Sequence, residues 1–197
     1  MIGLALSLLQ AELAAFLSAN GDDAANVKID NIAVADTSSG NSVTDHIVIS
    51  LVNVEEESAL KNQSTQRRLG TGAIAYENAP TFLNLYVLIS CNYSGERYID
   101  ALNRLALVIQ FLQGKTSFSG AASPAAGIDA SGLRFTLELY TLTFEQINHL
   151  WGSLGGRQVP FAMYKLRLVA ISDRKRIRAV PPIEEIDTTL SKISNIS

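Results

Sequence analysis

Residues 133–171 constrain the fold most, because strand, helix and strand follow one another there with every boundary marked. Leu133, Phe135, Leu137, Leu139 and Thr141 alternate with Arg134, Thr136, Glu138 and Tyr140, which is the two-residue period of a half-buried strand. Thr143 and Gln146 have the spacing of a capping box, in which hydroxyl and amide satisfy backbone donors at a helix start. Ile147, Leu150, Trp151 and Leu154 share one helical face, and Gly155-Gly156 ends the helix because glycine enters left-handed backbone cheaply. Pro160 opens the next strand, where a missing N–H is tolerated. None of this requires chemistry; it is a core supersecondary unit.

The segment from Pro80 repeats the theme. In TFLNLYVLISCNY, Leu83, Leu85, Val87, Ile89 and Cys91 point one way, and Phe82, Asn84, Tyr86, Leu88 and Ser90 the other. Ser94 is placed to cap a helix carrying Tyr98, Leu102, Leu105, Ile109 and Leu112 and closed by Gly114. Upstream, strands are expected over Val27–Ala35 and Ile47–Val54, separated by the loop-forming DTSSGNS. Glu55-Glu56-Glu57 then reads as a solvated strand end. Residues 58–78 read as a long polar excursion, and 115–132 as a low-complexity loop. Strands followed by helices that fold back across them describe an α/β domain.

The first twenty residues lack the positive start of a secretory signal, and Gln10 and Glu12 interrupt the apolar run. Leu6, Leu9, Leu13, Phe16 and Leu17 form a stripe, so an amphipathic helix packed on the body or on a neighbour is expected, with synthesis in the cytoplasm and no integral membrane association. Charged residues are 18% against 47% hydrophobic, which favours a surface partly covered by other subunits. A net charge of −3 excludes a globally basic nucleic-acid binder. Yet Arg174-Lys175-Arg176-Ile177-Arg178 is a dense basic run, followed by Pro181-Pro182 and an amphipathic tail. Lys165 and Arg167, on one face of the preceding strand, extend it into a basic ridge suited to an acidic protein surface.

Catalysis has little footing. Cys91, the lone cysteine, reads as a small core residue, and GTG at residues 70–72 lacks the rest of a phosphate loop. His46 and His149 are the only histidines, and neither has a partner at metal-ligand spacing. No cofactor is expected, and a small hydrolase built on His149 is the remote alternative.

The ordered set Ile49-Leu51-Val54-Glu55-Glu56, Pro80-Leu83-Leu85-Tyr86, Leu105 to Leu112, Leu150-Trp151-Leu154-Gly155, Pro160 and Tyr164-Arg167-Val169 resembles the N-terminal domain of cap proteins, or tail terminators, of phage-tail-like extracellular contractile injection systems. The resemblance implies an α/β (α+β) fold with a mixed, largely antiparallel sheet of five to six strands and helices packed on it. It implies no enzyme but a homo-oligomeric, sixfold ring that sits on sheath and inner-tube subunits and stops their polymerisation, within a particle that is retained or released from the cell. A cargo-loading or regulatory module of the same machine is the nearer alternative. On this reading residues 1–172 form one terminator-like domain and 173–197 a basic arm. Lys165, Arg167, Arg174, Lys175, Arg176 and Arg178 would meet sheath or tube, and Leu13 and Phe16 a neighbouring subunit.

Overall fold

Two sheets organise the chain in the computed structural model, which describes residues 1–34, 43–57, 66–68, 74–77, 81–121, 132–171 and 176–180. In chain order the elements are α1 (Ile2–Ala19), β1 (Val27–Ile29), β2 (His46–Glu56), β3 (Gln66–Arg68), β4 (Ile74–Glu77), β5 (Thr81–Asn92), α2 (Tyr98–Gly114), β6 (Ser117–Ser119), β7 (Arg134–Leu139), α3 (Phe144–Ser153), β8 (Phe161–Ile171) and β9 (Arg176–Val180). Strands β1-β2-β5-β8-β7-β6 make a six-stranded sheet that is antiparallel except for the β1–β2 pair. Strands β3-β4-β9 make a separate antiparallel sheet. The chain divides accordingly into one unit of Met1–Ser58 with Thr81–Ile171 and another of Ala59–Pro80 with Ser172–Ser197.

In the larger unit the strand period sorts side chains onto two covered faces. Ile47, Ile49, Leu85, Val87, Ile89, Tyr164 and Leu166 pack with α1 and α2. Val48, Leu88 and Met163 face the other way and pack with Trp151 of α3, Val43, Val159 and Ile32. Trp151 meets Phe161 edge-on at 5.3 Å between ring centroids. The central unit is thus as its residues dictate, with both bonds of the Thr143–Gln146 capping box made and Gly155 and Gly156 at φ 100° and 83°. Cys91 is buried among the α1–α2 core, which pushes its thiol pKa up to about 12.

Several expectations are corrected. The strand from Val27 stops at Ile29, because the Asp30 and Asn31 side chains accept from backbone N–H groups and a short 3-10 turn, Ile32–Val34, follows. Ser94 makes no capping bond; it precedes a 3-10 turn over Gly95–Arg97, and α2 begins at Tyr98. Within the expected 58–78 excursion lie β3 and β4, and within the 115–132 loop lies β6, whose buried Phe118 stacks on Phe135 at 5.1 Å. Residues 70–72 and 122–131 lie outside the described residues. The expected boundary at 172 falls one residue after β8, but 59–80, assigned to the first domain, groups with the C-terminal segment instead. The reason is backbone pairing: β9 takes β4 as its antiparallel partner, with Ile74 opposite Val180.

Leu13 is also corrected as an interface residue. It is fully buried, with Leu9, beneath α2 and the sheet, and Phe16 is half-buried against Phe111 at 5.0 Å. By length and composition α1 could cross a membrane (mean hydropathy 1.7), but here Ala5, Leu6, Leu8, Leu9, Leu13 and Leu17 are buried on the sheet.

An ion pair ties the end of α1 to α2. Nε and Nη2 of Arg104 donate to the two carboxylate oxygens of Asp22 at 2.7 and 2.9 Å, and the guanidinium lies 4.5 Å from the Tyr93 ring centroid. Arg97 caps the same ring at 4.9 Å and bridges to Asp45 at 3.0 Å. Hydrogen bonding from Arg104 lowers the Asp22 pKa against the opposing effect of burial. A depressed carboxyl stabilises the fold above its unfolded value, near 4, and that stability is lost as pH falls through the folded pKa. Asp22→Asn is therefore expected to cost about 1.5–3 kcal/mol at pH 7. Its deficit against wild type should shrink below pH 4 in thermal melts; a constant deficit down to pH 2 would refute the linkage.

Candidate interface on the open face of the sheet

The α3 face of the large sheet is only half covered. Beyond the Val48–Leu88–Met163 row, the register brings two rows of polar side chains side by side. Asn53, Tyr86, Lys165 and Glu138 form the first row, and Glu55, Asn84, Arg167 and Thr136 the second. A register shift between Leu51 and Asn53 of β2 turns Asn53 and Glu55 onto this face.

The rows are bonded to one another. Tyr86 Oη donates to Glu55 Oε2 at 2.9 Å, and Asn84 Nδ2 donates to Glu57 Oε2 at 2.9 Å. Desolvation first, then the bond to Glu55, pushes the Tyr86 phenol up to about 12, so it remains a donor throughout the physiological range. Lys165 Nζ lies 5.9 Å from the Tyr86 ring centroid, and Tyr140 meets that ring edge-on at 5.0 Å. Arg167 Nη2 bridges to Glu138 Oε2 at 3.2 Å, both side chains being half exposed or more. An exposed pair of this kind adds little stability. Its groups can exchange for a partner's at small cost. Asn84 Oδ1 is buried with no hydrogen-bond partner, so the patch has an acceptor to spare.

Lys165 and Arg167 are thus brought together on one open surface, as their alternation along β8 requires, but not as a basic ridge. The neighbouring strands set Glu55 and Glu138 among them, so the patch is mixed in charge. Arg176 and Arg178 lie in β9 of the other unit, opposite Glu77 and Tyr76. Arg174 and Lys175 fall outside the described residues. His149 is exposed on α3, and His46 Nδ1 lies 2.6 Å from the Thr44 carbonyl. Among the described residues no group of three or more His, Cys, Asp or Glu could hold a metal ion.

One surface feature escapes sequence reasoning. Phe144 lies three residues before Ile147 and seven before Trp151, on the stripe that spacing assigns to the core, yet it is 88% exposed. On the α2 side, Tyr98, Ile99 and Leu102 are also exposed.

Residues 6–185 match the family model described as the Pvc16 N-terminal domain. No curated protein matches the chain. Among solved structures, it is similar to the sheath/tube terminator of an extracellular contractile injection system, PVC, in the extended state. That likeness has a TM-score of 0.69 at 15% identity and covers 100% of this chain and 65% of the other. It is also similar to the tube-terminating cap of the anti-feeding prophage, with a TM-score of 0.64 at 16% identity, covering 93% of this chain and 59% of that one. The chain therefore spans less than two thirds of the length of either.

Proposed function

This chain belongs to the Pvc16 N-terminal domain family, and from that membership we propose that it acts as a terminating cap on the tube and sheath of a contractile injection particle. The observation that carries the reading is the fold likeness over the whole chain to a sheath/tube terminator, joined to a family match over 6–185. The role is mechanical. A helical polymer grows because each layer presents the next with the surface it binds; a terminator must take that surface and offer no copy of it outward. It does so as a closed sixfold ring of identical subunits, made in the cytoplasm and incorporated into the particle.

The open face of the large sheet is the proposed contact with the sheath or tube end. Lys165 and Arg167 there can leave Tyr86 and Glu138 for carboxylates of a partner, and Glu55 and Glu138 can accept its cations. The C-terminal segment with Arg174, Lys175, Arg176 and Arg178 is the proposed second contact, working with the 59–80 segment of its own unit.

Lys165→Glu with Arg167→Glu tests the first contact. Both side chains are partly or largely exposed, so the melting temperature is expected to stay within a few degrees of wild type. Particles assembled with the variant are expected to vary in length and lack terminal density in electron micrographs, with binding to sheath ends reduced about tenfold or more. Uniform, capped particles would remove this face from the interface.

A further inference from the structure

Phe144 is the most exposed of the large apolar residues, at 88%. It stands at the first turn of α3, beside the exposed Glu145. A benzyl group held out in water is unfavourable unless something covers it. The same chain carries a feature of complementary shape. An open groove of about 500 Å3 lies between the start of α2 and the segment that leads into β8, lined mainly by Tyr98, Leu102, Leu105, Val159, Pro160 and Phe161. A void of roughly 150 Å3 already accommodates a benzene ring. The groove can therefore take a phenylalanine side chain with some of its backbone. Tyr98 and Leu102 are open to solvent at its mouth, and Ile99 beside them is more exposed still.

The two features lie on different sides of the subunit. Phe144 belongs to the helix over the Val48–Leu88–Met163 face, whereas α2 covers the opposite face. Phe144 does not fill its own subunit's groove, because it is exposed. A contact that joins a knob on one side to a groove on another is heterologous, the type that generates rings when the rotation closes. The flanking charges agree: Glu145 stands beside the knob and Arg157 beside the groove residue Gln158. Asp100, the nearby carboxylate on α2, is already paired with Arg97.

We infer that Phe144 of one copy inserts into the Tyr98–Leu102–Phe161 groove of the next, and that this head-to-tail contact builds the ring. The inference deepens the cap reading above and rests on it for the ring. The groove's occupant is a second copy of this chain.

Three measurements on the full chain test it. Sedimentation over a concentration series should show wild type self-associating, with Phe144→Ser and Leu102→Glu each weakening association about tenfold or more. A mixture of those two variants should recover dimers and nothing larger, since one subunit retains the groove and the other the knob. The double variant Phe144→Cys/Leu102→Cys should form a covalent ladder of multimers on oxidation, while the buried Cys91 stays out of the reaction. Wild-type association by Phe144→Ser, or no ladder from the double cysteine variant, would overturn the inference. Failure of the cap reading has a different signature: a wild-type chain that forms the cysteine ladder yet never binds sheath or tube ends. An unchanged circular dichroism melt for Phe144→Ser is expected and excludes unfolding as the cause of any loss.

Discussion

A chain ending at Ser172 is expected to keep the thermal transition of the large sheet and to lose capping. All six strands of that sheet, with α1, α2 and α3, lie within Met1–Ser58 and Thr81–Ile171, so the cut leaves every one of their pairings in place. The small sheet loses β9 and with it the partner of β4. A two-stranded remnant is marginal on its own, so β3 and β4 should lose their amide-exchange protection. Particles assembled with the shortened chain should have variable lengths and no terminal ring. Arg174→Glu, Lys175→Glu and Arg176→Glu together should reproduce the defect in the full-length chain, which separates loss of charge from loss of the strand. Uniformly capped particles from the shortened chain would move the contact elsewhere, and collapse of its melting transition would make the C-terminal segment part of the larger core.

Trp151→Ala should be the most destabilising single change in the large sheet's second core. Trp151 is 4% exposed and fills the space between Val48, Leu88, Met163 and Val159, with Phe161 edge-on to it. Truncation leaves a cavity bounded by three strands that the sheet holds apart, so collapse is limited and the expected cost is about 3–5 kcal/mol. For a chain of this size that is a fall in melting temperature of roughly 10 °C. Its indole Nε1 is buried with no hydrogen-bond partner, so Trp151→Phe removes an unsatisfied donor along with part of the packing and should cost clearly less than the alanine change. Circular dichroism must follow the alanine variant, since Trp151 is the only tryptophan. A melt within 2 °C of wild type would mean that α3 contributes little to the fold.

Much of the large unit is legible from its residues. The α3 boundaries follow from Thr143, Gln146 and Gly155-Gly156, and the course of β5, β7 and β8 from strict alternation. These signals are local: a cap acts over three residues, a glycine stop over one or two, and a strand period within its own strand. Family resemblance was legible for the same reason, being carried by an ordered set of such local pieces.

Partnership was not legible, because it joins residues far apart in the chain. Nothing in Gln66–Arg68 or Ile74–Glu77 announces strands; they become strands because β9, about a hundred residues later, completes the backbone ladder with β4. Leu13 has the same periodic signature whether a neighbour or its own α2 covers it, and the subunit's own α2 and sheet do. Lys165 and Arg167 look basic along β8, and become a mixed patch once β2 and β7 set Glu55 and Glu138 beside them. Phe144 reads as core by its spacing and is exposed in the fold, since spacing sets the direction of a side chain but not how far the facing surface extends.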